Sequence, residues 1–470
     1  MSQPSRNRRW LFALAAVFLL LAVASLFVRV SFGPNLDGRP TGSIDDVAAL
    51  RDRADTNVLF ILIDTLRSDR LSAYGYERET TPNLERLAAS GVRFDRHLAQ
   101  SSWTKASMAS LWLGLNPMRT GVTRFDDQIP DAARTAAEIF SENGFLTSGI
   151  YRNGWVAPTF GFEQGFDVYL RPASRALPAE VQASNPTLKH RGTDEDVIGA
   201  AVEFLRVHGH KRWFLYLHLM DVHEYTYDQT SALFGGTYSD IYDNSIRWTD
   251  SVLGIFWEYL VDMGLDRNTI VAVGSDHGEA FRERDLEGHA RFVFRESTEV
   301  PLLLFLPFRL PDGVVVDTRS RNVDIMPTLF DLAGIDAPDG IDGRSLVPDI
   351  LAAGRGEPAP DADRTGIAHL DQTWGQRDQE TRNTVAVADG PLRYVRIENP
   401  GNHDASQLFD ASVDARELTD VAEEREEDVK RLAERADAYL AEQPEWGEAP
   451  SRDVGDLELN QLRALGYAIP

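Results

Sequence analysis

Residues 57–69, NVLFILIDTLRSD, hold the feature that most limits the fold. The apolar run over 58–63 shows no polar alternation and is rich in branched side chains, the pattern of a parallel strand covered on both faces. Such a strand needs helices on either side. A carboxylate, Asp64, follows at once, where the strand must end and a loop begin. In open α/β sheets the loops converge at that carboxyl edge on a rigid support, and ligands and metals collect there. Asp64 is therefore a metal-ligand candidate, beside the plainer reading of an Asp that caps a following helix.

Beyond it, strand and helix patterns alternate. Thr81 and Pro82 open an amphipathic helix, with Thr81 as its cap. Residues 91–94 read as a strand, 101–114 as a strand end, turn and helix, and the alternation continues through 136–151, 213–220, 269–274 and 300–305. This predicts an α/β fold, a mainly parallel sheet sandwiched by helices. Residues 171–190 are polar and aperiodic, a surface excursion. At 356–364, GEPAPDADR is linker-like; short strands over 384–387 and 392–397 then suggest a small antiparallel sheet, and 416–440 one charged helix with a narrow apolar stripe. The expected division is a tip and anchor (1–30), a tether (31–56), a catalytic domain (57–353) and a C-terminal α+β subdomain (354–470).

Arg6, Arg8 and Arg9 precede nineteen uncharged residues, 10–28, long enough to cross about 30 Å of hydrocarbon at about 1.5 Å per residue. The positive flank places the N-terminus in the cytoplasm and the remainder outside it. The expectation is a single-pass anchor, the alternative being a signal peptide cleaved near Ala22-Val23-Ala24. The chain carries 48 Lys and Arg against 73 Asp and Glu, a net charge of −25. Nucleic acid is thus a poor partner and none is expected, and an anionic substrate needs a local positive site such as a metal. Cysteine is absent, so there is no disulfide framework, thiol nucleophile or thiolate metal site.

Asp276 and His277 directly follow the apolar strand 269–274 and repeat the event at Asp64. Two such ends on neighbouring strands could hold one divalent ion between the two Asp oxygens and a His277 nitrogen. A surface loop with a polar His is the plainer reading. Thr104 precedes an Ala/Ser/Met/Leu stretch with good helix propensity, so it sits at a helix N-terminus, a natural place for an anion. A metal stabilises an alkoxide as it does hydroxide, which would make this hydroxyl a nucleophile; otherwise Thr104 caps the helix. Lys105 beside it is either a substrate-anion contact or incidental.

These residues carry a resemblance. Residues 57–121, with LIDTLRSDRLSAYGY, TTPNLERLAASGVRF and LWLGLNPMRTG, resemble the N-terminal core of sulfatases in the alkaline phosphatase superfamily. The likeness extends through YLHLMDVHEY, SDHGEAF, EGHARFVFRESTEVPLL, VDIMPTLFDLAGI and IDGRSLVPDI to the closing LRALGY. It implies that Asp64, Asp276 and His277 are metal ligands and that Thr104 is both ligand and nucleophile. Asn153, His223 and His289 fall on substrate-side positions, with His223 or His289 protonating the leaving oxygen. Relatives of the formylglycine type carry Cys or Ser at the nucleophile position, with Pro and Arg two and four residues later; here stand Thr104, Ala106 and Met108, so the aldehyde hydrate cannot form. Thr65 replaces the second acid found after the first strand, and the spacing that supplies a second zinc is missing from DVHEYTY. The expectation is one principal divalent metal (Ca, Mg, Mn or Zn), with Asp221 and His223 as weaker candidates for a second. The resemblance implies a metal-dependent hydrolase of sulfate or phosphate esters, which the apolar run over 10–28 would place as an exported, membrane-anchored enzyme. Alternatives are a phospho-alcohol transferase of the cell envelope and a catalytically silent binding protein of the same fold.

Overall fold

The computed structural model describes residues 37–174, 176, 178–185, 192–360, 365–376, 379–399, 404–452 and 454–455. The chain divides into two compact units, 1–38 and 39–470, and everything below belongs to the second. The expected anchor at 10–28, the start of the tether and the closing LRALGY lie outside the described residues. Among the described residues no helix is long and apolar enough to cross a membrane. Residues 39–56, read as tether, are packed: the Arg39 guanidinium is buried and donates to Leu306 O at 2.9 Å, and Val47 and Leu50 join the core.

Eight strands build the main sheet: β1 (Asn57–Ile63), β2 (Val92–Phe94), β3 (Leu146–Tyr151), β4 (Val168–Leu170), β5 (Trp213–Leu219), β6 (Thr269–Gly274), β7 (Leu302–Phe305) and β8 (Val314–Val316). Their spatial order is β8-β2-β7-β6-β1-β5-β3-β4. All neighbours run parallel except β7, which is antiparallel to both β6 and β2. Thus β1 sits between β5 and β6, with Leu62 opposite both His218 and Gly274.

All seven residues of β1 are buried, and pleating sends successive side chains to opposite faces. Val58, Phe60 and Leu62 enter one core cluster while Leu59, Ile61 and Ile63 enter another. The first is roofed by α2 (Thr104–Leu113), α3 (Ala136–Glu142) and α6 (Ile325–Leu332), through Met108, Phe140 and Leu329. The second is roofed by α1 (Pro82–Ala88), α4 (Asp194–His208) and α5 (Tyr238–Asp262), through Leu84, Leu205 and Phe256. Each such side chain contributes about 1.5–3 kcal/mol when fully buried. This double cover makes the polar-free run a requirement.

Two local expectations change. Thr81 makes no capping hydrogen bond to α1; its hydroxyl pairs with Ser72 Oγ at 3.1 Å instead. The free N–H groups of α1 are answered by a carboxylate from α5: Asp250 accepts from Asn83 N at 3.0 Å and Leu84 N at 2.9 Å, an anion at the positive end of a helix. The charged helix expected over 416–440 forms only as α7 (Glu426–Leu440). Upstream, Asp414 accepts the backbone N–H groups of Arg416, Leu418 and Thr419, and Asp420 that of Ala422; side-chain acceptors here hold turns against helix.

The C-terminal part forms an antiparallel meander of β9 (Gly366–Asp371), β10 (Asn383–Asp389), β11 (Leu392–Ile397) and β12 (Ala405–Asp410). One face sends Ala368, Leu370, Ala386 and Phe409 into the first core cluster. The other packs on α7 through Val385, Tyr394, Leu432 and Tyr439. This sheet is therefore built onto the main core, and its loops reach the edge where β1, β3, β5 and β6 end.

Candidate active site

Because β1, β3, β5 and β6 are parallel neighbours, the residues that follow them share one edge: Asp64, Asn153, the segment 220–224, and Asp276 with His277. Asp64, Asp276 and His277 each offer one ligand atom, and these atoms lie within 4.8 Å of one another. His277 Nε2 is 3.8 Å from Asp64 Oδ1 and 3.5 Å from Asp276 Oδ2. Thr104, the first residue of α2 after an N-cap at Trp103, turns its hydroxyl into this group. Its Oγ1 is 3.1 Å from His277 Nε2 and accepts from Asn153 Nδ2 at 3.3 Å. The simple capping readings of Asp64 and Thr104 thus give way to convergence, and all five side chains are fully buried.

The hydrogen bonds around the group leave selected atoms open. His277 Nδ1 donates to Gly278 O at 3.0 Å; a carbonyl only accepts, so neutral His277 presents its lone pair at Nε2. Asp64 Oδ2 accepts from Asn153 Nδ2 at 2.6 Å and His218 Nε2 at 2.9 Å. Asp276 Oδ1 accepts from His277 N at 3.0 Å. The remaining oxygens, Asp64 Oδ1 and Asp276 Oδ2, are buried without a hydrogen-bond partner. Two orphaned carboxylate oxygens beside an imidazole lone pair and a hydroxyl form a donor set that fits a divalent cation.

The electrostatics agree. Burial raises the Asp276 carboxyl, and the Asp64 charge raises it further. For Asp64 burial acts upward too, but His223, His218 and His277 outweigh it and hold the carboxyl below its ordinary range. Two buried like charges at this range repel, and a bound cation would relieve that. Further out, His289 Nδ1 is 3.0 Å from Glu279 Oε2. Burial disfavours the imidazolium, yet Glu279 raises the His289 pKa overall, while His223 is pushed down to about 4 by burial. The His289 ring lies 4.6 Å from that of His277 and 5.0 Å from that of His223. The pair of histidines thus contains one imidazole biased to carry a proton and one biased to lack it.

The loop after β1 is strained. Thr65 has φ of 60°, a left-handed conformation that a β-branched residue adopts at a cost of about 1–3 kcal/mol. It is clamped by Tyr242 Oη donating to Thr65 O at 2.7 Å, by Arg67 N donating back to Tyr242 Oη at 3.0 Å, and by Leu66 N donating to Ser275 Oγ at 2.9 Å. From the other side Ser107 Oγ donates to Asp276 O at 2.6 Å, so α2 holds the Asp276 loop.

Two weaker candidates lie elsewhere. Lys105 is buried, donates to Phe125 O at 2.8 Å and sits 3.9 Å from the Phe160 ring centroid, inside an aromatic wall. Asp221 is committed to a buried network: Oδ1 accepts from Arg152 at 2.6 Å, and Oδ2 accepts from Trp248 Nε1 at 2.7 Å and Asp194 N at 2.9 Å. Its oxygens are occupied, which disfavours a second metal there. Sequence reasoning missed His218, Tyr216 and Glu279. Tyr216 Oη lies 2.6 Å from His218 Nδ1, which leaves Nε2 to face Asp64. The signal was available: Tyr216 and His218 stand two apart in an otherwise apolar strand beside β1, so both face one side.

A sulfatase family model matches residues 56–335, and one for the C-terminal part of N-sulphoglucosamine sulphohydrolase matches 289–442. An ulvan-active sulfatase of Formosa agariphila is 26% identical over 354 residues, 66% of this chain and 67% of that protein. Arylsulfatase A of Bos taurus is 26% identical over 361 residues, 66% of this chain and 70% of that protein. Among solved structures, a 2-O GAG sulfatase superposes with a TM-score of 0.68 at 18% identity, covering 82% of this chain and 92% of that one. The phosphonate monoester hydrolase of Agrobacterium radiobacter does so with 0.65 at 20% identity, covering 85% and 100%; these two likenesses speak for the fold. With more than half its length matched, carrying an Asp, Asp and His cluster at the sheet edge, this chain belongs to the sulfatase family of sulfuric ester hydrolases.

Proposed function

We propose that this protein hydrolyses sulfate esters through direct attack by Thr104, with one divalent cation held by Asp64, Asp276, His277 and Thr104. The observation that carries the reading is the Thr104 hydroxyl, 3.1 Å from His277 Nε2 in a group with two orphaned carboxylate oxygens. A bound cation would supply positive charge that acidifies a neighbouring hydroxyl and draws the anionic ester inward. Thr104 Oγ1, whose proton a bound cation would release to solvent, forms a bond to sulfur as the bond from sulfur to the alcohol oxygen breaks. Asn153 Nδ2, which already reaches both Asp64 and Thr104, and the N–H groups at the start of α2 face the charge on the transferred group. The departing oxygen takes its proton from His289, whose pKa Glu279 raises against the effect of burial, with His223 beside it. Water, giving a proton to the now neutral His289, then attacks the sulfur of the threonine ester, the bond from sulfur to Oγ1 breaks, and sulfate leaves with Oγ1 and His289 as they began.

A second reading rests on Thr104 itself. A hydroxyl that attacks directly, where the formylglycine type builds an aldehyde hydrate, suits phosphate or phosphonate esters as well. The N-terminal run at 10–28 supports a membrane-anchored, extracytoplasmic enzyme. Thr104→Ala should lower kcat/KM on an aryl sulfate by about 10³-fold or more, about 4 kcal/mol of barrier. Mass spectrometry of quenched wild-type enzyme should place the transferred group on Thr104. Turnover by Thr104→Ala within about tenfold of wild type rules out covalent catalysis by this residue. A parallel series of phosphate and phosphonate monoesters decides between the two readings.

A further inference from the structure

Beside the buried cluster lies a cavity of about 520 Å³ with His223, Glu279 and His289 in its lining, and the His289 ring is 4.6 Å from that of His277. One wall is aromatic: the Tyr225 and Tyr238 rings lie 5.1 Å apart. Across the cavity stands Trp374, stacked on Trp103 at 6.2 Å. Arg291 and Arg382 complete the lining; both are exposed, and neither guanidinium has an ion-pair partner among the described residues. In a chain of net charge −25, two exposed guanidinium groups in the lining of one cavity give an anion a local partner.

The two arginines come from different parts of the fold, yet one residue joins their backbones. Gln372 donates its side-chain Nε2 to Arg291 O at 2.7 Å and its backbone N–H to Arg382 O at 2.8 Å. The loop after Glu279 and the loop between β9 and β10 are thereby fixed to each other. Backbone strain marks the same place: Tyr225, Ala290 and Trp374 all line the cavity with φ of 53°, 54° and 52°. Left-handed conformations at non-glycine residues persist only where the surroundings impose them, and they concentrate where ligands are held.

We propose that this cavity receives the alcohol part of the ester, and that Arg291 and Arg382 recognise a second anionic group, a carboxylate or a sulfonate-like group, carried on a ring. The inference rests on the esterase reading above and names its substrate class: doubly anionic esters whose alcohol is a ring able to lie against Tyr225, Tyr238 and Trp374. Guanidinium groups suit such oxyanions because their donors match the planar or forked oxygens.

The test compares para-nitrophenyl sulfate with its ring-carboxylated and ring-sulfonated derivatives on the metal-loaded enzyme. The derivatives should show kcat/KM higher by about tenfold, expressed in KM. In the Arg291→Gln/Arg382→Gln double variant the derivatives should fall to the kcat/KM of the parent ester measured with the same variant, and Gln372→Ala should lose part of the preference. A carboxylate preference without a sulfonate preference narrows the second anion to a carboxylate. Equal kcat/KM for parent and derivatives, or a preference unchanged in the double variant, overturns the proposal. Calorimetric binding of the product alcohols, para-nitrophenol and its ring-carboxylated and ring-sulfonated derivatives, to the wild-type protein separates this result from failure of the nucleophile reading. Tighter binding of the derivatives that vanishes with the arginine pair supports the cavity assignment whatever the chemistry; equal or absent binding overturns it.

Discussion

The cluster and the cavity beside it are built on opposite principles. Asp64, Thr104, Asn153, Asp276 and His277 are all fully buried, and each sits just beyond a strand of the main sheet or at the first residue of a helix. Their separations are set by sheet register, for instance Leu62 opposite Gly274 two residues before Asp64 and Asp276. The outer cavity takes Arg291, Gln372, Trp374 and Arg382 from loops, two of them exposed arginines. Rigid edges hold chemistry to tenths of an ångström; loops hold discrimination, where side chains can vary without disturbing the sheet. Variants in the first region should therefore change kcat and metal content, and variants in the second KM and substrate choice.

The largest expected break in that division, after Thr104, is Asp276→Ala. It removes one of the two orphaned oxygens, so metal content should fall well below one per chain and kcat/KM by at least about 10²-fold. The metal-free variant should be no less stable than metal-free wild type, because a carboxyl raised first by burial and then by the Asp64 charge is gone. Full metal content with full activity would remove Asp276 from the site. A smaller effect is expected at His218, which touches Asp64 but lies behind it. His218→Gln should weaken metal binding by about 10- to 100-fold in titrations of metal-free protein. Tyr216→Phe, which takes away the group on His218 Nδ1, should act less, and the two changes should be non-additive. Independent effects would mean that Tyr216 and His218 do not work as a chain.

The contrast also explains what could be read without coordinates. The main sheet was legible because a run such as 58–63 has one physical interpretation, and the acids that end two such runs mark the edge. Asp276 and His277 were visible for that reason, and Thr104 because a helix-prone stretch follows it. His218 was overlooked because a lone histidine inside WFLYLHL reads as core until the register brings it opposite Leu62. Thr81 was misread because the better cap comes from Asp250, 167 residues away from Asn83. The cavity was illegible in principle: Gln372 ties the backbone at Arg291 to that at Arg382, and no local pattern records that. Helix 416–440 failed at its start because Asp414 and Asp420 capture backbone donors in turns.

The smallest predicted effect concerns the scaffold that both regions share. Burial raises the Asp250 carboxyl from 3.8 to about 6, against the hydrogen bonds from Leu84 and Asn83 that pull it down. For an acid raised in the folded state, the fold retains a proton that the unfolded chain has lost. Its stabilising contribution is complete below about pH 4 and disappears as pH rises through 6, with an upper bound of about 2–3 kcal/mol. Asp250→Asn should flatten that slope in denaturation midpoints measured from pH 4 to 7. Asp250 lines neither the cluster nor the cavity, so kcat/KM against pH should keep its shape in the variant. A rate inflection near neutral pH that survives Asp250→Asn then belongs to the site, where Glu279 raises His289. One that moves with Asp250→Asn would mean that the strand edge feels the ionisation of a helix cap, and the rigidity assigned to that edge would fail.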